Sequence, residues 1–189
     1  MQKTRLEAFS DGVLAIIITI MVLELKVPHD PTWEGLRPLA PVFCAYVLSF
    51  AFVGIYWNNH HHMLHAARKV TGPVLWANLH LLFWLSLVPF VTAWMGENHV
   101  AKAPTTAYGV VLLMAAIAYT LLQNTITRAE GAESRLKEAV GADRKGKLSL
   151  GLYATAIVLA QLHPYLAVML YVAVALLWLV PDRRIESLT

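Results

Sequence analysis

Residues 5–27 read RLEAFSDGVLAIIITIMVLELKV, and this stretch decides the fold. From Gly12 to Leu23 the only polar side chain is Thr19, so the run is long and apolar enough to cross a membrane as a helix. Arg5, Ser10 and Asp11 stand at its entry and Glu24 at its exit. An ionisable group this close to hydrocarbon is costly without a partner or water, which makes Asp11 a candidate functional residue.

The rest of the chain agrees with a membrane protein. Of 189 residues, 58% are hydrophobic and only 14% charged, against about a quarter charged in an average soluble domain. Mean hydropathy is +0.56. Six apolar segments follow one another at roughly 6–26, 38–59, 73–95, 105–127, 148–162 and 164–180. The expected fold is all-α: one polytopic domain, 1–189, with six transmembrane helices and no soluble appendage. The first apolar run has no small-residue cleavage site after it and is expected to stay in the protein.

The last two segments are short, and Gln161, His163 and Pro164 between them read as a tight turn. A thin helical hairpin is expected there; one long kinked helix is the alternative. Charge decides between them. Lys3, Arg5, Arg68, Lys69, the six basic residues between Arg128 and Lys147, Arg183 and Arg184 fall on one side. Only Lys26, Arg37 and Lys102 fall on the other. By the positive-inside rule both termini are cytoplasmic, which requires an even number of spans. The same basic residues explain the formal charge of +3 and the pI near 9.1 without a nucleic-acid partner, since no basic–aromatic interleaving accompanies them.

The lone Cys44 excludes an intrachain disulfide and reads as a small buried or lipid-facing residue. Trp33 is expected at the outer interface. The polar stretch from Arg128 to Lys147 is expected to be a solvated helical extension of the fourth span. Pro89 is expected to kink the third span, with Ser86 or Thr92 helping the freed carbonyl.

On a helical wheel with Ile16 at zero, Leu23 falls at about −20°, Ile20 at about +40°, Gly12 at about −40° and Thr19 at about −60°. Asp11 lies at about −140°, Ser10 at about +120° and Glu24 at about +80°. The aliphatic stripe and the Ser-Asp pair therefore point in different directions. By periodicity alone, such a stripe packs against another helix or lipid. At matched depth, Trp57, Asn58 and His60 of the second span and Asn78 and His80 of the third face the Ser10–Asp11 level. The expected network has Ser10 and Asp11 accepting from Trp57 and His60, with Arg5 neutralising charge and Asn78 nearby. His61 and His65 have the i, i+4 spacing of metal ligands, but no cysteine or carboxylate joins them, and hydrogen-bonded structural histidines are expected.

The pattern Arg5-x-x-x-Phe9-Ser10-Asp11, followed by Ile16-x-x-Thr19 and by Trp57-x-x-His60-His61, resembles the transmembrane protein 175 family, potassium channels of endolysosomes with smaller bacterial relatives. The third consecutive histidine, His62, departs from it. The resemblance implies a homotetramer in the bacterial plasma membrane with a central pore lined by the first helix. Carried over residue by residue, it makes Ile16 the tightest ring, with further rings at Ile20 and Leu23, and Gly12 and Thr19 beside them. Such a constriction gates by dewetting, and without a TVGYG-like filter only a modest preference for potassium is expected. Glu24 would concentrate cations at the outer mouth, or pair with Lys26. No cofactor is expected beyond the permeant monovalent ions. A proton channel or proton-coupled carrier is the alternative, because Asp11, Glu24 and the histidines titrate. An enzyme is disfavoured, since no nucleophile–base spacing or phosphate loop occurs.

Overall fold

In the computed structural model, residues 3–131, 134, 136, 141 and 143–179 are described. The fold is all-α. The elements are α1 (Lys3–Leu23), a short 3₁₀ turn (Trp33–Leu39), α2 (Ala40–Ala66), α3 (Gly72–Ser86), α4 (Val88–Glu97), α5 (Lys102–Glu130), α6 (Arg144–Leu162) and α7 (Pro164–Leu179). No strand occurs among the described residues. The segments Lys3–Leu23, Trp33–Ala66, Gly72–Glu97 and Lys102–Glu130 are each long and apolar enough to cross a membrane. Helices α3 and α4 are two halves of the third span. The six helical segments foreseen from hydropathy are thus all present.

The third span breaks at Leu87, whose N–H bonds to the Trp84 carbonyl at 3.3 Å. Pro89 follows in the first turn of α4 and cannot donate the next helical bond. The expected side-chain rescue takes a different form. Ser86 Oγ donates to the Phe83 carbonyl at 2.7 Å, and Thr92 Oγ1 to the Val88 carbonyl at 2.6 Å. Neither hydroxyl reaches the Leu85 carbonyl that Pro89 leaves without its helical donor.

The last two helices form the hairpin. His163 is extended (φ −138°, ψ 91°) and Pro164 begins α7. Trp178 Nε1 donates to Ser149 Oγ at 2.8 Å, and the rings of Tyr153 and Tyr171 lie 6.4 Å apart. Early residues of α6 therefore meet late residues of α7, an antiparallel pair that a single kinked helix cannot make.

Helix α5 runs through the middle of the bundle, against α3, α4, α6 and α7. Its Leu112, Ala115, Ala118, Leu122 and Ile126 are buried on one face at helical spacing. At Gly109 α7 lies hard against α5: a methyl there would overlap the Tyr171 hydroxyl, which donates to the Thr105 carbonyl at 3.1 Å. A second polar tie joins α2, α4 and α5, where Ser49 Oγ shares hydrogen bonds with Thr92 Oγ1 (2.7 Å) and Tyr108 Oη (2.9 Å).

Helix α5 ends sooner than expected, at Glu130, with Gly131 at φ 76°. Among the described residues of the polar stretch, Arg128–Glu130 extend it. Glu130 is engaged rather than solvated: it accepts from the Arg68 N–H (2.7 Å) and from Ser134 Oγ (2.8 Å). Glu133, Arg135, Lys137 and Glu138, like Arg183 and Arg184, lie outside the described residues. Trp33 and Cys44 are both exposed.

Candidate functional site

Helix α1 has two faces with different fates. Leu6, Ser10, Leu14, Ile17 and Met21 are buried against the chain's own helices. At helical spacing this set centres near about +120° on the wheel that has Ile16 at zero. The opposite stripe is uncovered. Ile16 is 58% exposed, Ile20 40% and Leu23 80%, and Gly12 and Thr19 are exposed beside them. Phe9 and Arg5, at about +20° and about −20°, continue that stripe toward the N-terminus, and both are exposed. The segregation follows from the sequence: four apolar side chains and one serine repeat at i, i+4, i+8, i+11 and i+15 and take the packed side.

Behind the stripe lies a polar cluster. Trp57 Nε1 donates to Asp11 Oδ1 at 3.0 Å. Asn78 Nδ2 donates to Ser10 Oγ at 3.0 Å, and Ser10 Oγ donates to the Leu6 carbonyl at 2.9 Å. His60 Nε2 meets Asn78 Oδ1 at 2.7 Å. Because the Asn78 amide nitrogen is spent on Ser10, its oxygen is the acceptor and His60 Nε2 carries the proton. His60 is 2% exposed, and Ser10 and Asn78 are fully buried.

The expected wiring needs two corrections. His60 does not bond the Ser-Asp pair; Asn78 stands between, since the ring on α2 reaches α3 before it reaches α1. Arg5 does not neutralise Asp11 within the chain: at i, i+6 the two point about 120° apart on the helix, and among the described residues Arg5 makes no hydrogen bond or ion pair. The cation at this end that ties helices together is Lys3, which donates to the His65 carbonyl at 2.6 Å and lies 3.8 Å from Glu7. The bridging role of Asn78 was hidden because the helical register between α1 and α3 is a tertiary fact.

The histidines do not converge. The rings of Trp57, His61 and His65 follow one another along α2 at 6.3 and 6.2 Å between centroids. His80 Nε2 accepts from Trp84 Nε1 at 3.0 Å. Among the described residues no three metal-ligating side chains come together.

Toward the other end, Thr19 Oγ1 donates back to the Ile16 carbonyl at 2.9 Å, which leaves its lone pairs on the open stripe. Glu24 is exposed. Lys26 does not pair with it: its ammonium sits 2.7 Å from Oε1 of Glu97, the last residue of α4. That hydrogen bond and charge hold the Lys26 pKa above its ordinary value. Asp30, in the same connection, accepts from the Thr32 N–H at 2.9 Å, which lowers its pKa.

Comparison with known proteins adds a family to this geometry. The family model described as endosomal/lysosomal potassium channel TMEM175 matches residues 5–89. A potassium channel of Chryseobacterium sp. (strain P1-3) is 57% identical over 187 residues, covering 99% of this chain and 97% of the relative. The crystal structure of a lysosomal potassium-selective channel TMEM175 homolog from Chamaesiphon minutus superposes with a TM-score of 0.83 at 28% identity, covering 95% of this chain and 97% of that one. The Bos taurus endosomal/lysosomal proton channel TMEM175 is 32% identical over 120 residues, covering 57% of this chain and 23% of the relative.

Proposed function

The chain belongs to the TMEM175 family, and from that membership we propose that four copies assemble around a shared axis as a potassium-preferring cation channel of the bacterial plasma membrane. The observation that carries this reading is the uncovered stripe on α1. A helix that buries Leu6, Ser10, Leu14, Ile17 and Met21 inside its own chain presents Gly12, Ile16, Ile20 and Leu23 outward. Four such stripes facing one another line a path of branched aliphatic side chains.

Ile16 and Leu23 would then stand about 10 Å apart along the axis. Aliphatic rings offer no oxygen to replace an ion's hydration shell, so they gate by dewetting rather than by coordination. Thr19 is the hydroxyl within this zone, and its oxygen, already donating to its own helix, keeps acceptor capacity for a half-dehydrated cation. Selectivity from one hydroxyl ring is modest. Glu24, left free by the Lys26–Glu97 bridge, raises the local cation concentration at the outer mouth. Asp11, Ser10, Trp57, Asn78 and His60 hold α1 at the azimuth that aims its stripe inward, and the Lys/Arg asymmetry sets both termini in the cytoplasm.

The test is current from purified protein in planar bilayers. Potassium currents that rise when Ile16→Asn wets the tightest ring support the reading. Currents indifferent to substitution at Ile16, Ile20 and Leu23 place the path elsewhere. A proton channel is the second reading, favoured by the name of the Bos taurus relative and by the titratable groups behind α1. A reversal potential that tracks pH instead of potassium selects it.

A further inference from the structure

A cavity of about 50 Å³ lies between α2, α5, α6 and α7, with no α1 residue in its wall. Helix α6 gives it one stripe, Asp143, Gly146, Ser149 and Tyr153. At 1.5 Å per residue this stripe reaches about 15 Å inward from the start of the helix. Phe52 and Tyr153 meet at its deep end, with ring centroids 6.3 Å apart. Gly146 leaves room for the Asp143 carboxylate, which a methyl there would overlap, and Ser149 and Trp178 of α7 complete this end of the wall.

Most polar atoms in the wall are already engaged, the Tyr56 and Tyr153 hydroxyls being exceptions among the described residues. Ser149 Oγ donates to the Lys145 carbonyl and accepts from Trp178 Nε1. Thr120 Oγ1 donates to the Ala116 carbonyl, Asn59 Nδ2 to the Ile55 carbonyl, and Asp143 Oδ1 accepts from the Gly146 N–H. Such a wall suits hydrocarbon better than a polar ligand, which would find few open hydrogen-bonding groups.

The boundary end carries the opposite chemistry. Arg144 and Lys147 are exposed in the first turn of α6, and the Lys145 ammonium lies 5.8 Å from the Trp178 ring centroid. Among the described residues, the exposed Arg144 and Lys147 against the engaged Asp143 carboxylate make this a positively charged rim at headgroup level, where anionic lipids are attracted. We propose that the cavity seats part of one acyl chain of an anionic phospholipid from the adjoining leaflet, its phosphate lying against Arg144 and Lys147. The inference is independent of which helix lines the conduction path.

Native mass spectrometry of the protein released from nanodiscs of equal phosphatidylglycerol and phosphatidylcholine tests it. The expected result is severalfold preferential retention of phosphatidylglycerol. Retention is lost in Ala116→Leu, which fills the cavity, while the preference between the two lipids is lost in Arg144→Gln/Lys147→Gln. Equal retention of both lipids by the unsubstituted protein overturns the proposal. So does Ala116→Leu retaining lipid as before, or a bound mass that is detergent or free fatty acid. Should Ala116→Leu fail to fold by thermal melt and gel filtration, the charge variant decides alone.

Discussion

Replacing Asn78 with leucine tests the idea that a polar hub holds α1 in place. Asn78 is fully buried and joins three helices: it donates to Ser10 on α1 at 3.0 Å and accepts from His60 on α2 at 2.7 Å. Leucine keeps the forked shape, somewhat enlarged, but can make neither bond. The two losses are unequal. Ser10 keeps its bond to the Leu6 carbonyl and forfeits only an accepted hydrogen bond, about 0.5–1 kcal/mol. His60, 2% exposed, is left with a buried Nε2–H facing leucine, which costs about 1–3 kcal/mol. In membranes the average interhelical bond is worth less, about 0.6 kcal/mol. A total near 2 kcal/mol is therefore expected, a fall of about 4–8 °C in Tm for a chain of this length. The assay is thermal unfolding in detergent, alongside bilayer current from the same preparation. Conductance should fall or become heterogeneous, because α1 loses its azimuthal reference while its apolar packing at Leu6, Leu14, Ile17 and Met21 remains. A variant with unchanged Tm and unchanged current refutes the reasoning: the hub would then be neither a stabilising nor a positioning element.

Three other outcomes follow from the same structure. Gly109→Ala puts a methyl into the Tyr171 hydroxyl and should cost about 1–3 kcal/mol by overpacking, read as a lowered Tm with oligomeric state retained. Lys26 has a raised pKa, so its contribution to closing the α1–α2 connection onto α4 is full below the ordinary lysine value of 10.5 and is lost as pH rises through the raised one. An NMR titration of the Lys26 side chain should show a midpoint above 10.5 that returns toward that value in Glu97→Gln. Glu24→Gln should lower single-channel potassium conductance at low ionic strength and leave it nearly unchanged at 1 M salt, where the Debye length is about 3 Å; equal loss at both salts would mean that Glu24 does not act through its field.

Much of the fold was legible in the chain alone because a membrane constrains it so strongly. Backbone polar groups in hydrocarbon must be satisfied within helices, so apolar run length alone yields the helical segments. Charge and proline placement then implied the hairpin that His163 and Pro164 make. Wheel angles on α1 were equally readable: they separated the Ser10 side from the Ile16 side, and the burial of Ser10 with Leu14 and Ile17 follows that division.

What sequence left open was which polar atoms meet across helices. Depth matching brought Trp57, His60 and Asn78 to the level of Ser10 and Asp11, yet depth carries no azimuth, and azimuth decides that Trp57 takes Asp11 while Asn78 intervenes between His60 and Ser10. The same limit hid the Lys26–Glu97 bridge, whose partners are 71 residues apart, and the aromatic cavity, whose wall needs α2, α5, α6 and α7 assembled. Periodicity is a one-helix property and survives in the sequence. Contact between helices depends on rotation and crossing of two packed surfaces, which no single stretch encodes, so tertiary structure alone selected the partners.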